Sequence, residues 1–196
     1  MPRREFLNPG QTVGLLGGSF NPAHQGHVHV SRMALRALGL DRLWWLVSPQ
    51  NPLKDSADTA PLKDRLARAR ALARDPRISV TDIERRLGTR YTVDTVRALK
   101  RRYPGVRFVW IMGSDNLLQL PRWARWRELI AELPIAIYPR PGSSLKARGA
   151  PALNLFRGAR LDAADARLLP FCAAPALVFL EGPEHHASST ALRARI

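Results

Sequence analysis

The sequence predicts an α/β fold built on a doubly wound parallel sheet, and three observations carry that expectation. Short apolar runs alternate with segments of helical spacing along most of the chain. The runs are almost continuously apolar, as strands covered on both faces are. Several of them end directly in glycine or in a Pro- and Asn-containing loop. Alternation of this kind gives right-handed βαβ units. Ligands of such sheets sit at the carboxyl ends of the strands, beside the point where the strand order reverses.

Thr12 to Leu16 reads as the first strand and ends at Gly17-Gly18. Gln25 to Leu38 has helical spacing, with Val28, Met33, Leu35 and Leu38 inward and Gly39 as a stop. Arg42 to Val47 is a second strand, and the loop Ser48 to Ala60 carries Lys54. Pro61 to Arg74 is a helix with proline in its first turn and Leu62, Leu66, Ala69 and Leu72 on one side. Ile78 to Ile83 alternates as a third strand, and Thr92 to Tyr103 is a helix with Val93, Val96 and Leu99 inward. Val106 to Met112 is a fourth strand ending at Gly113. Asn116 to Ile130 makes short helical turns broken at Pro121, and Ile135 to Tyr138 is a fifth strand. Residues 139–175 are expected to form loops and one short helix, followed by a sixth strand from Ala176 to Leu180 and a last helix from Ser188.

The 196 residues, 45% hydrophobic, suit a single domain over 1–196 with a substantial core. No apolar run reaches membrane-spanning length, and the charged N-terminus lacks the apolar stretch of a secretory signal. A single cysteine, Cys172, fits a cytoplasmic protein and reads as a buried structural thiol. The net charge of +15 raises nucleic-acid binding as a reading. The basic residues are spread along the chain, however, and no aromatic–basic patch accompanies them. Their field would attract an anionic small substrate in any case.

The chemistry concentrates after the first strand. There is neither a P-loop nor a Gly-x-Gly-x-x-Gly fingerprint. Instead Gly17, Gly18, Ser19 and Phe20 lead through Asn21-Pro22 to His24-Gln25-Gly26-His27 at a helix start. Glycines admit a close ligand, and the free N–H groups of a helix start favour phosphate. His24 and His27, three apart, share a face and can bind and stabilise developing charge. A zinc site is the rival, but two histidines need a further ligand and none is placed for it. His29 reads as an ordinary neighbour, and His185 and His186 as solvated loop residues. Ser188-Ser189-Thr190-Ala191-Leu192-Arg193 suits either N-capping or phosphate binding, with Arg193 one turn along.

These motifs resemble the nucleotidyltransferase superfamily marked by His-x-Gly-His after strand one and Ser-Ser-Thr-x-x-Arg near the end. Within it the sequence most resembles bacterial nicotinate-nucleotide adenylyltransferases, from Gly17 to Arg193. Asn51-Pro52-Leu53-Lys54, Asp82-Ile83-Glu84-Arg85, Tyr91-Thr92-Val93-Asp94-Thr95, Gly113-Ser114-Asp115, Pro121-Arg122-Trp123 and Arg140-Pro141-Gly142 follow in the family's order. The resemblance implies a Rossmann-like sheet and a cytoplasmic enzyme of NAD biosynthesis. That enzyme joins nicotinate mononucleotide to the AMP part of ATP, with Mg²⁺ as cofactor and release of pyrophosphate. It implies ATP phosphates among His24, His27, Lys54, Ser189, Thr190 and Arg193, and a ribose at Gly113 and Asp115. It also implies a pyridine ring on Trp123, with Thr92 and the backbone N–H of Ala124 at its carboxylate. Taken alone, Trp123 reads as core, Thr92 as a cap, and Asp115 either way.

Three departures from the family pattern stand out. Asn21 replaces a frequent Asp, Ala124 a frequent aromatic, and the sequence stops at Ile196 where many relatives continue into another helix. The last helix is therefore expected to be short or completed by another subunit, which leaves a homo-oligomer open. Alternative acceptors are nicotinamide mononucleotide and pantetheine phosphate. A non-catalytic nucleotide sensor and a basic nucleic-acid-binding protein are the readings from other classes. The residues alone do not choose between nicotinate and nicotinamide.

Overall fold

The computed structural model describes residues 6–49, 59–185, 187 and 189. Among them β1 (Thr12–Gly18) leads into α1 (Gln25–Ala37), β2 (Arg42–Val47), α2 (Leu62–Leu72) and β3 (Ile78–Thr81). Next come α3 (Ile83–Leu87), α4 (Thr92–Arg102), β4 (Arg107–Gly113), α5 (Ser114–Gln119) and α6 (Trp126–Glu132). The last elements are β5 (Ile135–Tyr138), α7 (Ser144–Arg148), β6 (Arg160–Leu161) and β7 (Leu177–Phe179). One sheet in the order β3-β2-β1-β4-β5-β7-β6 contains all seven strands. Every pairing in it is parallel.

The apolar runs make strands because both faces of the sheet are covered. Along β2, Trp44 and Leu46 join a core on one face with Leu15, Trp110 and Ile137. Leu43, Trp45 and Val47 join the opposite core with Leu16, Ile111 and Tyr138. Helices α4 and α6 cover the first face through Val93, Val96, Leu99 and Leu129. Helices α1 and α2 cover the second through Val28, Ala34, Leu35, Leu66 and Ala69. Burying a side chain of the Leu or Val size contributes about 1.5–3 kcal/mol, so these strands are committed by packing rather than by local propensity.

Three sequence expectations change. The third strand stops at Thr81, and Ile83 opens a helix. Asp82 explains the stop: its carboxylate accepts hydrogen bonds from Arg85 and Arg86 at distances of 2.6 to 3.0 Å, which rewards a helical turn. Residues 139–175 hold more than one short helix. Two 3₁₀ segments, Pro151–Phe156 and Ala163–Phe171, and the edge strand β6 are also there. Cys172 is half-buried at the margin of the second core rather than enclosed in it.

The chain runs outward from β1 to β3, then crosses back to β4 beside β1. The switch point therefore lies between β1 and β4. Gly17 and Gly18 pair with Leu46 and Val47, while Gly113 pairs with Tyr138. The turns that leave β1, β2, β4 and β5 thus open on one edge.

Candidate active site

The turn after β1 is shaped by burial. Phe20 adopts φ +48°, a left-handed conformation that strains a side chain of its size. It is only 1% exposed, stacked on Trp45 with ring centroids 5.1 Å apart, and that packing holds the strained turn. His24 then stands at the N-cap of α1, and its carbonyl accepts the His27 N–H at 2.9 Å. The two imidazoles lie 3.9 Å apart, and the His27 ring also meets Phe20 at 4.6 Å and Trp45 at 5.8 Å. A Cβ on Gly26 would come 2.8 Å from His24 Nδ1, so glycine there makes room for the first imidazole.

The histidines are neutral at pH 7. Burial lowers His24 to about 4, helped by the charges of Arg140 and His185. Burial lowers His27 to about 3, helped by His24 and Arg140 and opposed by the His24 backbone. The His24 N–H donates to His27 Nδ1 at 3.2 Å, which makes Nδ1 the acceptor. The His27 proton must then sit on Nε2, which gives a neutral, fixed N–H donor.

The far end of the chain reaches this turn. Ser189 Oγ donates to the Pro22 carbonyl at 3.0 Å, across 167 positions. The segment before it is tied down at Pro183, whose carbonyl accepts from both His29 Nε2 and the Tyr138 hydroxyl. His29 is thus a tether between α1 and the C-terminal segment. His185 is half-buried, its ring 5.4 Å from His29. Neither histidine is the bystander expected from sequence. Lys54, His186, Ser188, Thr190 and Arg193, with any last helix, lie outside the described residues.

A cleft of about 540 Å³ opens at the switch point. Gly17, Gly18, Ser19, Phe20, His24, His27 and Ser189 line one side of it. Gly113, Asp115, Thr92, Trp123 and Ala124 line the other. Every described residue expected to serve the site is therefore brought to one cavity of small-ligand size. Gly17 is needed for a further reason: a Cβ there would come 2.7 Å from the Trp110 ring. Trp123 meets Trp110 edge-on at 6.2 Å, which presents it as a supported aromatic wall.

The cytidylyltransferase-like family model matches residues 15–195, nearly the whole chain. The chain belongs to the cytidylyltransferase-like family. A probable nicotinate-nucleotide adenylyltransferase of Parvibaculum lavamentivorans is 65% identical over 195 residues, covering 100% of this chain and 97% of that protein. One of Methylorubrum extorquens is 56% identical over 183 residues, covering 93% and 99%. A solved nicotinic acid mononucleotide adenylyltransferase of Plasmodium falciparum, complexed with NaAD, superposes with a TM-score of 0.70 at 16% identity. It covers 94% of this chain and 83% of that one, and so agrees in fold.

This cytidylyltransferase-like chain also places Arg140 and Glu84 in the cleft and Arg65 against the turn beside it, three residues to which the sequence assigned no role. Arg140 follows β5, and its backbone N–H donates to Ser114 Oγ at 2.9 Å. Its Nε is a loose 3.9 Å from Asp115, and its side chain supplies the positive charge beside both histidines. The rule that strand ends carry the site would have found it. Glu84 lies buried in the cleft, where Ser48 Oγ donates to it at 2.6 Å and burial raises its pKa. Reading residues 78–83 as a strand concealed it. Arg65, only 2% exposed, donates to the carbonyls of Ala60, Ser19, Ser48 and Pro49 at 2.7–2.8 Å. Its position between Leu62, Leu66 and Ala69 put an arginine on an apolar helix face, and that was the available signal.

Proposed function

We propose that the chain transfers the adenylyl group of ATP to nicotinate mononucleotide, giving nicotinate adenine dinucleotide and pyrophosphate in NAD biosynthesis. The observation that carries this is the single cleft joining a histidine pair at a helix start to an aromatic end at Trp123. The relatives at 56% and 65% identity carry the same name over their full length.

The acceptor's own phosphate is the nucleophile, so no protein nucleophile is required. One of its oxygens forms a bond to the α-phosphorus of ATP as the bond to the β-phosphate bridging oxygen breaks, and the electron pair leaves with pyrophosphate. The protein's part is to position and to neutralise. The first N–H groups of α1 and His27 Nε2–H donate to the phosphate oxygens, and Arg140 adds charge. Gly18, Ser19 and Ser189 flank the phosphates. Asp115 accepts from a ribose hydroxyl, with Gly113 keeping that approach open, since a Cβ there would collide with the Asp115 carboxylate itself. Trp123 stacks on the pyridine ring, with Thr92 and the Ala124 N–H at its carboxylate.

Among the described residues no three His, Cys, Asp or Glu side chains group as metal ligands. The donors at the phosphate end are N–H groups and an arginine, a set that suits phosphate oxygens and not a protein-held cation. Mg²⁺ therefore belongs with the triphosphate as part of the substrate, where it offsets phosphate charge. We read the chain as one nucleotidyltransferase domain. No described helix is long and apolar enough to cross a membrane.

Pyrophosphate release from ATP, measured with nicotinate mononucleotide, nicotinamide mononucleotide and pantetheine phosphate as acceptors, tests the reading. The nicotinate form should give the highest kcat/KM. A preference for pantetheine phosphate would overturn the role of the aromatic wall. ATP binding without turnover of any acceptor would favour a sensor. Trp123→Ala should raise KM for the mononucleotide about 5- to 150-fold while sparing ATP, because loss of a stacked aromatic is worth roughly 1–3 kcal/mol.

A further inference from the structure

The arginines around the mononucleotide end differ in their partners. Four of those set back from the cleft are matched with carboxylates, and a fifth, Arg127, lies over the Trp126 ring, 4.6 Å from its centroid. Arg85 and Arg86 pair with Asp82 at 2.6 and 3.0 Å. Arg125 pairs with Asp94 and Glu128, each at 2.7 Å. Arg97 pairs with Glu128 at 2.9 Å and Glu132 at 2.7 Å. Arg90 and Arg122 differ. Both are exposed, both line the cleft, and neither has a carboxylate within 4.0 Å among the described residues. Arg90 instead rests over the Tyr91 ring, 5.8 Å from its centroid.

Their placement is specific. Arg90 stands two residues before Thr92, where α4 begins. Arg122 ends the 3₁₀ turn Leu120–Arg122, directly before Trp123. The two therefore come from separate segments, and each is a near neighbour in sequence of a residue assigned to the pyridine end, Thr92 or Trp123. The acidic residues of α4 and α6 compensate Arg97 and Arg125 and leave Arg90 and Arg122 in the cleft lining without a carboxylate partner among the described residues.

We infer that Arg90 and Arg122 make the cleft selective for the mononucleotide whose ring bears a carboxylate over the one whose ring bears an uncharged amide. The inference rests on the proposed reaction. Nicotinate and nicotinamide rings are nearly the same shape, and the amide's carbonyl can accept from Thr92 or a backbone N–H much as a carboxylate oxygen does. Hydrogen bonds at the ring thus separate the two weakly. Charge separates them more, because an uncompensated guanidinium attracts the carboxylate and is indifferent to the amide. An exposed arginine about 6 Å from the carboxylate is worth roughly threefold in affinity, and a direct bidentate contact about tenfold or more. Exposed charges are screened over about 8 Å at physiological salt, so the selectivity should weaken as salt is added.

The test is kcat/KM for each mononucleotide at saturating ATP, in wild type, Arg90→Gln, Arg122→Gln and the double variant, at low and high salt. Each single variant should lower the nicotinate form's kcat/KM about three- to tenfold, and the double variant further. The nicotinamide form should move less than about twofold, and KM for ATP should stay constant. Salt should compress the wild-type preference and leave the double variant's preference flat. Equal losses for both mononucleotides would place the arginines on the shared phosphate or ribose and overturn the inference. An unchanged ratio with folded variants would overturn it too. Should the double variant fail to fold, the single variants and the wild-type salt series still decide. Absence of pyrophosphate release by wild type with either mononucleotide would sink the proposed reaction, an outcome distinct from both.

Discussion

His27 shows how a single side chain is made useful by what surrounds it. An imidazole in water titrates near 6.5 and presents two exchangeable tautomers. Here Phe20, Trp45 and His24 strip it of water, and the backbone N–H of His24 claims Nδ1. What remains is one N–H donor in a fixed direction. His27→Ala should lower kcat about 100- to 1,000-fold, the usual cost of losing one oriented donor to developing charge. Near-normal turnover in a folded variant would take His27 out of the mechanism. The same burial makes stability depend on pH. Unfolded imidazoles bind protons near 6.5, but folded His24 and His27 do so only near 4 and 3. Their contribution is complete above about 6.5 and is lost as the pH falls toward 4 and then 3. Denaturant midpoints should drop across that window in wild type and drop less in a His24→Asn/His27→Asn double variant.

At the scale of elements, α2 does more than cover the sheet. Through Arg65 it gathers carbonyls from the turn after β1, the end of β2 and the loop before α2. Carbonyls drawn to the back of the turn are kept from facing a triphosphate. Arg65→Met keeps the apolar stem but orphans several buried acceptors, and should cost about 3 kcal/mol by chemical denaturation. A loss below about 1 kcal/mol would mean the carbonyls find water instead. The strands and long helices were legible in the sequence because period and length announce them: β2, β5 and α1 fall within a residue of expectation. Short elements were not. Five-residue α3 and two-residue β6 are shorter than any period, and the 3₁₀ segments of 151–171 repeat on neither template. For the site, the glycines and histidines after β1 stood out because strand ends are marked. Arg65, Glu84 and Arg140 did not, because a buried arginine or glutamate is spelled like a surface one until its neighbours are known.

For the whole molecule, the site exists only once the chain is closed on itself. On the proposed reaction its phosphate end draws on β1 and α1 from the beginning, Arg140 from further along and Ser189 from near the far end, all of which line the one cleft. The Ser189–Pro22 and His29–Pro183 bonds make that closure. A ligand that grips both ends must therefore stabilise the entire fold, because it binds only the closed form. At about 100 times its Kd it adds roughly 2.7 kcal/mol. For a chain of this size that raises Tm by roughly 5–11 °C. Thermal unfolding with ATP and with mononucleotide separately should show both shifts in wild type. In Ser189→Ala the ATP shift should shrink while the mononucleotide shift survives, since only the former ligand spans the two termini. Shifts reduced equally would show that Ser189 supports the cleft as a whole rather than its phosphate end.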